Sequence, residues 1–257
     1  MDLIAENISH RFDTLDVLDD VSFTVGAGEV VAIVGPSGCG KSTLLSILGG
    51  LLQPTSGQAL LGGAPPSGSL NPLTFVFQDF ALLPWASVED NVAFPLLHTS
   101  LSAQERAAAV DDALRRTRLV DFRTVFPKQL SGGMRQRVGI ARALAVRPAI
   151  LLMDEPLSAL DSQTRELLME DFVDLLADGS MGAVYVTHNL EEAVRLADRI
   201  VVLSRRPGRI RKLVGVPAAR RDRGNAEIRA QLLDLQNELW ALIRTEAIDA
   251  EREVQHA

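Results

Sequence analysis

Short apolar runs alternate with amphipathic stretches along most of this chain. The runs of strand length occupy residues 30–34, 73–77, 149–153, 183–186 and 200–203. A run that is apolar at nearly every position is typical of a strand buried on both faces of a parallel sheet. Helical patterns fall between these runs, so the order of elements predicts an α/β fold with a parallel sheet.

The helical stretches are recognised by apolar residues three and four positions apart. They occupy residues 101–122, 130–147, 163–177 and 189–196. Ser102 opens the first of them as a candidate cap, with Glu105 three residues later. Further short strands are predicted at 2–9, 21–25 and 58–61.

A last helix is predicted over residues 226–247. Its apolar positions lie three and four residues apart, at Ile228, Leu232, Leu235, Leu239 and Leu242. Such a stripe docks either on the domain that carries it or on a partner subunit, and the sequence leaves both open.

A glycine-rich loop, GPSGCGKST, joins the apolar run at 30–34 to a helix that starts near Lys41. Strand, glycine loop and helix in this order are typical of a phosphate-binding loop. Glycines let the backbone N–H groups approach phosphate oxygens, and the helix start adds a partial positive charge. Lys41 is predicted to contact the β- and γ-phosphates, and the Ser42 hydroxyl to bind Mg²⁺. The residues predicted to hold the phosphates are Gly35, Pro36, Ser37, Gly38, Cys39, Gly40, Lys41, Ser42 and Thr43.

Length, composition and charge limit the domain count, the compartment and the partners of this chain. A chain of 257 residues, 47% of them apolar, suits one large domain or one domain with small lobes. No apolar run reaches the ~18–20 residues that cross a bilayer, and no secretory signal is expected. Cys39, the one cysteine, excludes an internal disulfide and fits a reducing compartment. The net charge of −7 argues against nucleic acid as a partner, so a cytoplasmic or membrane-peripheral protein is expected.

Positive charge is concentrated in one segment, residues 205–223. This segment carries eight Arg and Lys residues against a single acid, Asp222. Such a run most often forms a solvated face. Lipid headgroups or an acidic partner surface are the alternative contacts.

Five further motifs follow the phosphate loop. They are Gln78 in VFQDF, LSGGMRQRV at 130–138, ILLMDEP at 150–156, SALD at 158–161 and VTHNLEEA at 186–193. Kinases, GTPases and motor ATPases share the phosphate loop and the strand-end acid, but the LSGG motif upstream of that acid sets this chain apart. Over about residues 1–215 the combination resembles the ATP-binding subunits of ABC transporters.

This resemblance implies a domain organisation. The core would be a P-loop NTPase with a mostly parallel sheet, joined by an antiparallel β subdomain and an inserted helical subdomain at about 79–148. Residues 216–257 would form a basic linker and a C-terminal amphipathic helix.

The resemblance also implies an ATPase site with ATP and Mg²⁺ as its cofactors. Glu155 would be the general base that polarises the attacking water, and His188 would contact the γ-phosphate. Ser42, Gln78 and Asp154 would hold Mg²⁺, the last of them through water.

A second copy of the chain is the first partner that the resemblance implies. Ser131, Gly132 and Gly133 of one subunit would reach the γ-phosphate held by the other, so that two ATP molecules join a homodimer which hydrolysis releases. Asp161 would link the two nucleotide sites. Phe12 would stack on the adenine ring, although packing in the core is the alternative for an aromatic side chain.

A membrane permease is the second implied partner. It would dock near the Gln78 loop, where the chain has Phe80, Leu82, Leu83 and Trp85; core packing is again the alternative.

Four further short motifs resemble the nitrate/sulfonate/taurine group of importers: LLPW (82–85), VEDNV (88–92), LSRRPGRI (203–210) and ELW (238–240). The expected function is therefore the ATPase subunit of an importer on the cytoplasmic face of the inner membrane. It would be served indirectly by a solute-binding protein and would bind no nucleic acid.

Two other functions stay open at this point. A single-domain ABC ATPase can regulate a membrane complex without moving solute, or it can act on ribosomes or DNA. Members that act on ribosomes usually carry two motif sets, and those that repair DNA carry a long coiled coil between phosphate loop and signature. This chain has one set, and no sustained heptads lie between Lys41 and Gly132.

Overall fold

The computed structural model describes residues 1–177 and 179–254, with side chains as far as Glu246. This part of the chain forms the strands β1 (Asp2–Phe12), β2 (Leu15–Val25), β3 (Val30–Val34), β4 (Ser56–Gly62), β5 (Leu73–Val76), β6 (Ile150–Asp154), β7 (Gly182–Val186), β8 (Arg199–Leu203) and β9 (Ile210–Gly215). Its α-helices are α1 (Lys41–Leu48), α2 (Val88–Ala93), α3 (Ala103–Arg116), α4 (Gly132–Ala145), α5 (Ser162–Leu176), α6 (Leu190–Leu196) and α7 (Ala226–Val254).

A six-stranded sheet, in the order β5-β6-β7-β3-β8-β9, forms the centre of the structure. Its first five strands are parallel, and β9 runs antiparallel to β8. Every residue of β3 and β7 is buried because both faces of the sheet are covered. Alternate residues of β3 enter different cores, Val31 and Ile33 on one face and Ala32 and Val34 on the other. The predicted α/β fold with a mostly parallel sheet is confirmed.

A three-stranded antiparallel sheet, in the order β2-β1-β4, shares one of these two cores with α1. In β2 the side chains of Val21, Phe23 and Val25 are buried, whereas Ser22 and Thr24 are exposed. This alternation is typical of a strand with one covered face. The antiparallel β subdomain is therefore present as expected.

Strands β1 and β2 are longer than the sequence predicts and meet in a tight turn at Asp13 and Thr14. Asp13 has a φ of 49°, in the left-handed region that Asp tolerates better than most residues. Phe12, which lies beyond the predicted strand 2–9, is the last residue of β1. Its ring is 47% exposed and lies edge-on to His10, with 4.5 Å between the ring centroids.

Helices α2, α3 and α4 pack together and are inserted between β5 and β6. A capping box begins α3, in which Ser102 and Glu105 bond to each other's backbone N–H groups, and this confirms the cap predicted from the sequence. Helix α3 ends at Arg116, earlier than predicted. The boundaries of the helical subdomain at 79–148, and of the ATP-binding domain at 215, stay predictions.

Strand β9 lies within the basic segment 205–223, where the sequence predicts no strand. It forms the edge of the sheet, and charged side chains at an edge oppose pairing with other chains. Several of the cations pair with acids of the same chain: Arg209 with Asp19, Arg211 with Glu246, Lys212 with Glu238 and Arg220 with Asp198. These pairs favour the solvated face over a lipid-binding surface.

Helix α7 packs on α6, and its Leu232, Leu235 and Leu239 side chains are buried in the same core as the helical insertion. The apolar stripe predicted from the sequence therefore docks on its own chain. The helix continues to Val254, beyond the predicted end at 247. None of the described helices has the length and apolar character needed to cross a membrane.

Two leucine substitutions test the docking of α7. Leu239 is fully buried, whereas Leu233 on the same helix is 56% exposed. We expect Leu239→Ala to lower the free energy of unfolding by about 2–4 kcal/mol because it leaves a cavity. Leu233→Ala should lower it by less than about 0.5 kcal/mol. Urea denaturation followed by circular dichroism measures both, and equal effects would contradict the docked helix.

Candidate nucleotide-binding site

The glycine-rich loop lies between β3 and α1, at the carboxyl edge of the central sheet. Gly40, directly before α1, has a φ of 104°, a conformation that other residues rarely adopt. A Cβ on Gly35 would lie 2.9 Å from the Leu203 carbonyl oxygen, which is too close for a side chain. Ser37 and Gly38 are exposed, so the loop presents its backbone to solvent before the start of α1, where anions are favoured.

Lys41 is buried against the loop to which it belongs. Its ammonium donates hydrogen bonds to the carbonyl oxygens of Gly35 at 2.9 Å and Pro36 at 3.0 Å. A phosphate oxygen is a stronger acceptor than a carbonyl because both partners are then charged. Lys41 is therefore positioned to exchange these carbonyls for phosphate. Thr43 is half-buried in the first turn of α1.

The backbone of Cys39 belongs to the glycine-rich loop, whereas its side chain is buried in the core. The thiol is 1% exposed, and burial raises its pKa although the nearby Lys41 opposes the shift. A buried, protonated thiol packs rather than reacts. The N–H group of Cys39 donates to the Pro36 carbonyl at 3.3 Å, within the predicted phosphate loop.

Oxygen atoms that suit a magnesium ion meet where β6 approaches the start of α1. Ser42 Oγ donates to Asp154 Oδ1 at 3.2 Å. Burial raises the pKa of the Asp154 carboxyl, against the effect of that hydrogen bond, and a bound cation would reverse this shift. Gln78 follows β5 and donates from Nε2 to Ser158 Oγ at 3.1 Å, and no described residue donates to its carbonyl oxygen, the atom predicted to bind the metal. Such hard oxygen donors fit Mg²⁺.

Glu155 and His188 meet beyond the ends of the neighbouring strands β6 and β7. His188 Nδ1 lies 3.0 Å from Glu155 Oε2. The Glu155 N–H donates to the Val186 carbonyl at 2.9 Å and so extends the strand pairing by one residue. Glu155 has a φ of 45°, a left-handed conformation that costs about 1–3 kcal/mol and is held by its surroundings.

The LSGG motif forms the start of α4. Ser131 is the N-cap, and its Oγ accepts from the Met134 N–H at 3.3 Å. Gly132 and Gly133 form the first turn, where a Cβ on Gly133 would lie 2.5 Å from the Thr164 side chain. Among the described residues, Ser131 makes no hydrogen bond with the phosphate loop. The structure therefore does not join the LSGG motif to the phosphate loop of the same chain.

Two other predicted site residues also stand apart from the loop. Asp161 caps α5, and the hydrogen bond that its carboxylate accepts from the Thr164 N–H at 3.0 Å lowers its pKa. Phe12 lies at the exposed end of β1. The described hydrogen bonds and ring contacts join neither residue to the phosphate loop, so their roles stay predictions.

Two polar side chains of α4 make contacts that the sequence did not predict. Gln136 is fully buried and donates from Nε2 to the Pro156 carbonyl. Arg142 donates to the carbonyl oxygens of Phe80 and Ala81. Helix α4 is thereby tied to the turn after β6 and to the segment after β5. The one signal in the sequence is a glutamine at a position where the helix is otherwise apolar.

The phosphate loop, the candidate metal-binding oxygens and the Glu155–His188 pair all lie at the carboxyl edge of one parallel sheet. A fold and a site of this kind define a P-loop nucleoside triphosphatase. The inserted helices, with LSGG at the start of α4, narrow the class further.

Comparison with known proteins identifies the family. The family model described as ABC transporter matches residues 18–158. The chain is 48% identical over 200 residues to the taurine import ATP-binding protein TauB of Burkholderia thailandensis, covering 78% of this chain and 77% of that protein. It is 44% identical over 230 residues to the protein of the same name in Chromobacterium violaceum, covering 89% and 88%.

A solved structure is similar along most of the chain. The dimeric ATP-binding cassette MJ0796, in a post-hydrolysis state bound to ADP and Pi, has a TM-score of 0.71 and 33% identity and covers 84% of this chain and 99% of that one. The chain belongs to the ABC transporter family, as one of its ATP-binding, ATP-hydrolysing subunits. The family and the importer group predicted from the motifs are confirmed.

A lysine substitution tests the phosphate loop. We expect Lys41→Ala to weaken ATP binding by about 1.5–3 kcal/mol, or roughly 10- to 150-fold, because a hydrogen-bonded charge is lost. Lys128, exposed in the helical insertion, gives a matched control, and Lys128→Ala should leave the affinity unchanged. Isothermal titration calorimetry with ATP measures both. Equal affinities for Lys41→Ala and the wild type would rule out the loop as the phosphate site.

Proposed function

We propose that this chain is the ATP-hydrolysing subunit of an importer at the inner membrane, in which two copies close around two ATP molecules and power uptake of a small solute. The observation that carries the proposal is the Glu155–His188 pair, 3.0 Å apart, at the same sheet edge as the phosphate loop. The relatives named for taurine import support a sulfonate of that kind as the solute.

Glu155 is the general base in this proposal. Its carboxylate would take a proton from the water that attacks the γ-phosphate, while His188 would hold that phosphate and orient Glu155. Ser42 and Gln78 would bind Mg²⁺ directly, and Asp154 would bind it through water. The ion would neutralise charge on the phosphates.

A second copy would complete each site. Ser131, Gly132 and Gly133 lie at a helix start, which favours an anionic partner. No described hydrogen bond gives them a partner in the phosphate loop of the same chain, so the γ-phosphate bound to the second copy is the proposed one. Asp161, at the start of α5, would link the two sites. The dimer of the ATP-binding cassette MJ0796 supports this arrangement.

A permease would dock on the segment after Gln78. Of the apolar residues expected there, Phe80 and Leu82 pack against the core, whereas Trp85 is 75% exposed. An exposed tryptophan is typical of the centre of a protein interface. We place the permease at Trp85 and the chain at the cytoplasmic face of the membrane, with a solute-binding protein acting on the permease from the other side.

The dimer is tested by light scattering on Glu155→Gln. This variant should bind ATP but hardly hydrolyse it, and it should shift from monomer to dimer only when ATP is added. Addition of Ser131→Arg, which puts a bulky side chain at the start of α4, should abolish the ATP-dependent dimer. ADP is the control ligand and should leave a monomer. A Glu155→Gln variant that turns over ATP at the wild-type rate would remove Glu155 as the base.

Transport is tested with the complex purified from membranes through a tag on this chain and reconstituted in liposomes. ATP should drive uptake of radiolabelled taurine, and Glu155→Gln should abolish it.

Trp85→Ala should weaken association with the permease about 30-fold, as expected for an interface tryptophan. Trp240, exposed on α7, gives the matched control Trp240→Ala, which should have no effect. An ATPase that copurifies with a permease but drives no taurine uptake would contradict the proposed solute.

A further inference from the structure

Glu192, on α6, is 3% exposed although it is a carboxylic acid. A buried carboxylate is costly unless hydrogen-bond donors and a positive charge compensate for the lost water. The proposed catalytic site makes no use of this residue. It lies four residues after His188, on the helix that follows the histidine loop.

Two hydroxyl groups compensate the Glu192 carboxylate. Its Oε2 accepts hydrogen bonds from Tyr185 Oη at 2.8 Å and from Thr187 Oγ1 at 2.7 Å. Burial and the charge of Glu192 raise the pKa of Tyr185 well above its usual value, so the phenol remains a donor. Tyr185 belongs to β7, whereas Thr187 begins the loop that carries His188.

The Thr187 hydroxyl links Glu192 to the backbone that follows His188. While it donates to Glu192, it accepts the N–H of Asn189 at 2.9 Å. Residues on both sides of His188 are therefore held by one hydroxyl, which is itself fixed by Glu192. The side chain of His188 is largely exposed, and among the described residues its hydrogen-bond partner is Glu155.

A cation faces the second oxygen of the same carboxylate. Arg165 Nε lies 3.9 Å from Glu192 Oε1, and another nitrogen of this guanidinium donates to the Leu160 carbonyl at 2.8 Å. Leu160 directly precedes Asp161, at the start of α5. The cluster of Glu192, Tyr185, Thr187 and Arg165 therefore reaches from the histidine loop to the SALD turn.

We propose that Glu192 is a positioning residue that fixes the loop around His188 so that the imidazole stays aligned with Glu155. This inference rests on the proposed function, because it gives His188 and Glu155 their roles in hydrolysis. Glu192 itself touches neither the nucleotide nor the attacking water. Its effect passes through Thr187 to the backbone on either side of His188.

The decisive variant is Glu192→Gln, which keeps the shape of the side chain but replaces one accepting oxygen with an NH₂ group. Displacement of a catalytic group by about 1 Å costs up to about 100-fold in rate, so we expect kcat for ATP to fall roughly 10- to 100-fold. The KM for ATP should change by less than about twofold, because the phosphate loop is untouched. Glu191→Gln, an exposed neighbour on the same helix, should change neither value.

Two further variants separate positioning from plain stability. Tyr185→Phe removes a donor to Glu192 but leaves the Thr187 bond, so it should lower the melting temperature while kcat stays within about twofold. Thr187→Val removes the link to His188 and should lower kcat as Glu192→Gln does, and it decides the question if Glu192→Gln fails to fold. Equal losses of kcat in Tyr185→Phe and Glu192→Gln would show that the cluster only stabilises the fold, which would contradict the positioning role.

The surroundings of the His188 ring are monitored by NMR of protein labelled at the histidine Cε1 carbons. The His188 signal is assigned with His188→Gln, and Glu192→Gln should shift it while Glu191→Gln should not. An unmoved signal together with an unchanged kcat would overturn the proposal. Failure of the proposed function has a different signature, since the wild type would then hydrolyse no ATP or Glu155→Gln would be fully active.

Discussion

The parallel register of the central sheet is the constraint on which the whole site depends. Strands β5, β6, β7 and β3 are hydrogen-bonded neighbours, so their carboxyl ends lie along one edge. Residues distant in the chain meet there, as Ser42 and Asp154 do in a single hydrogen bond. A slip of one residue would turn every side chain of a strand to the opposite face. The apolar residues that fix the register therefore also fix the geometry of the site.

Local sequence patterns reveal those parts of the fold that are buried on both sides. Strands β3, β6 and β7 are nearly all apolar, and only a central position in a parallel sheet suits such runs. Strand β9 is not predicted from the sequence because Arg211 and Lys212 face solvent at a sheet edge. The polar sequence of such a strand resembles that of a loop. The sequence pattern does not predict Phe12 as part of a strand, because the hairpin pairing of Phe12 with Leu15 extends β1 beyond its apolar positions.

The residues of the candidate site also differ in how far the sequence predicts them. The phosphate loop, Asp154 and Glu155 follow strand ends in recognisable order, so the sequence predicts where they lie. Gln136, Arg142 and Glu192 lie within helices instead, and the sequence does not predict their contacts, because a polar residue within a helix looks exposed until the packing shows what covers it. The groups proposed to do the chemistry can thus be predicted from the sequence, whereas those that support them are seen only in the tertiary structure.

The burial of Lys41 has a consequence for the balance between stability and affinity. Folding withdraws its ammonium from water, so the cost of dehydrating this cation falls on the folding equilibrium and not on ligand association. An arriving phosphate therefore meets an ammonium group that has already lost its water, and it replaces the Gly35 and Pro36 carbonyls as acceptor. By linkage, each bound nucleotide stabilises the fold in return. The stability of the fold and the affinity for nucleotide are therefore coupled at this residue.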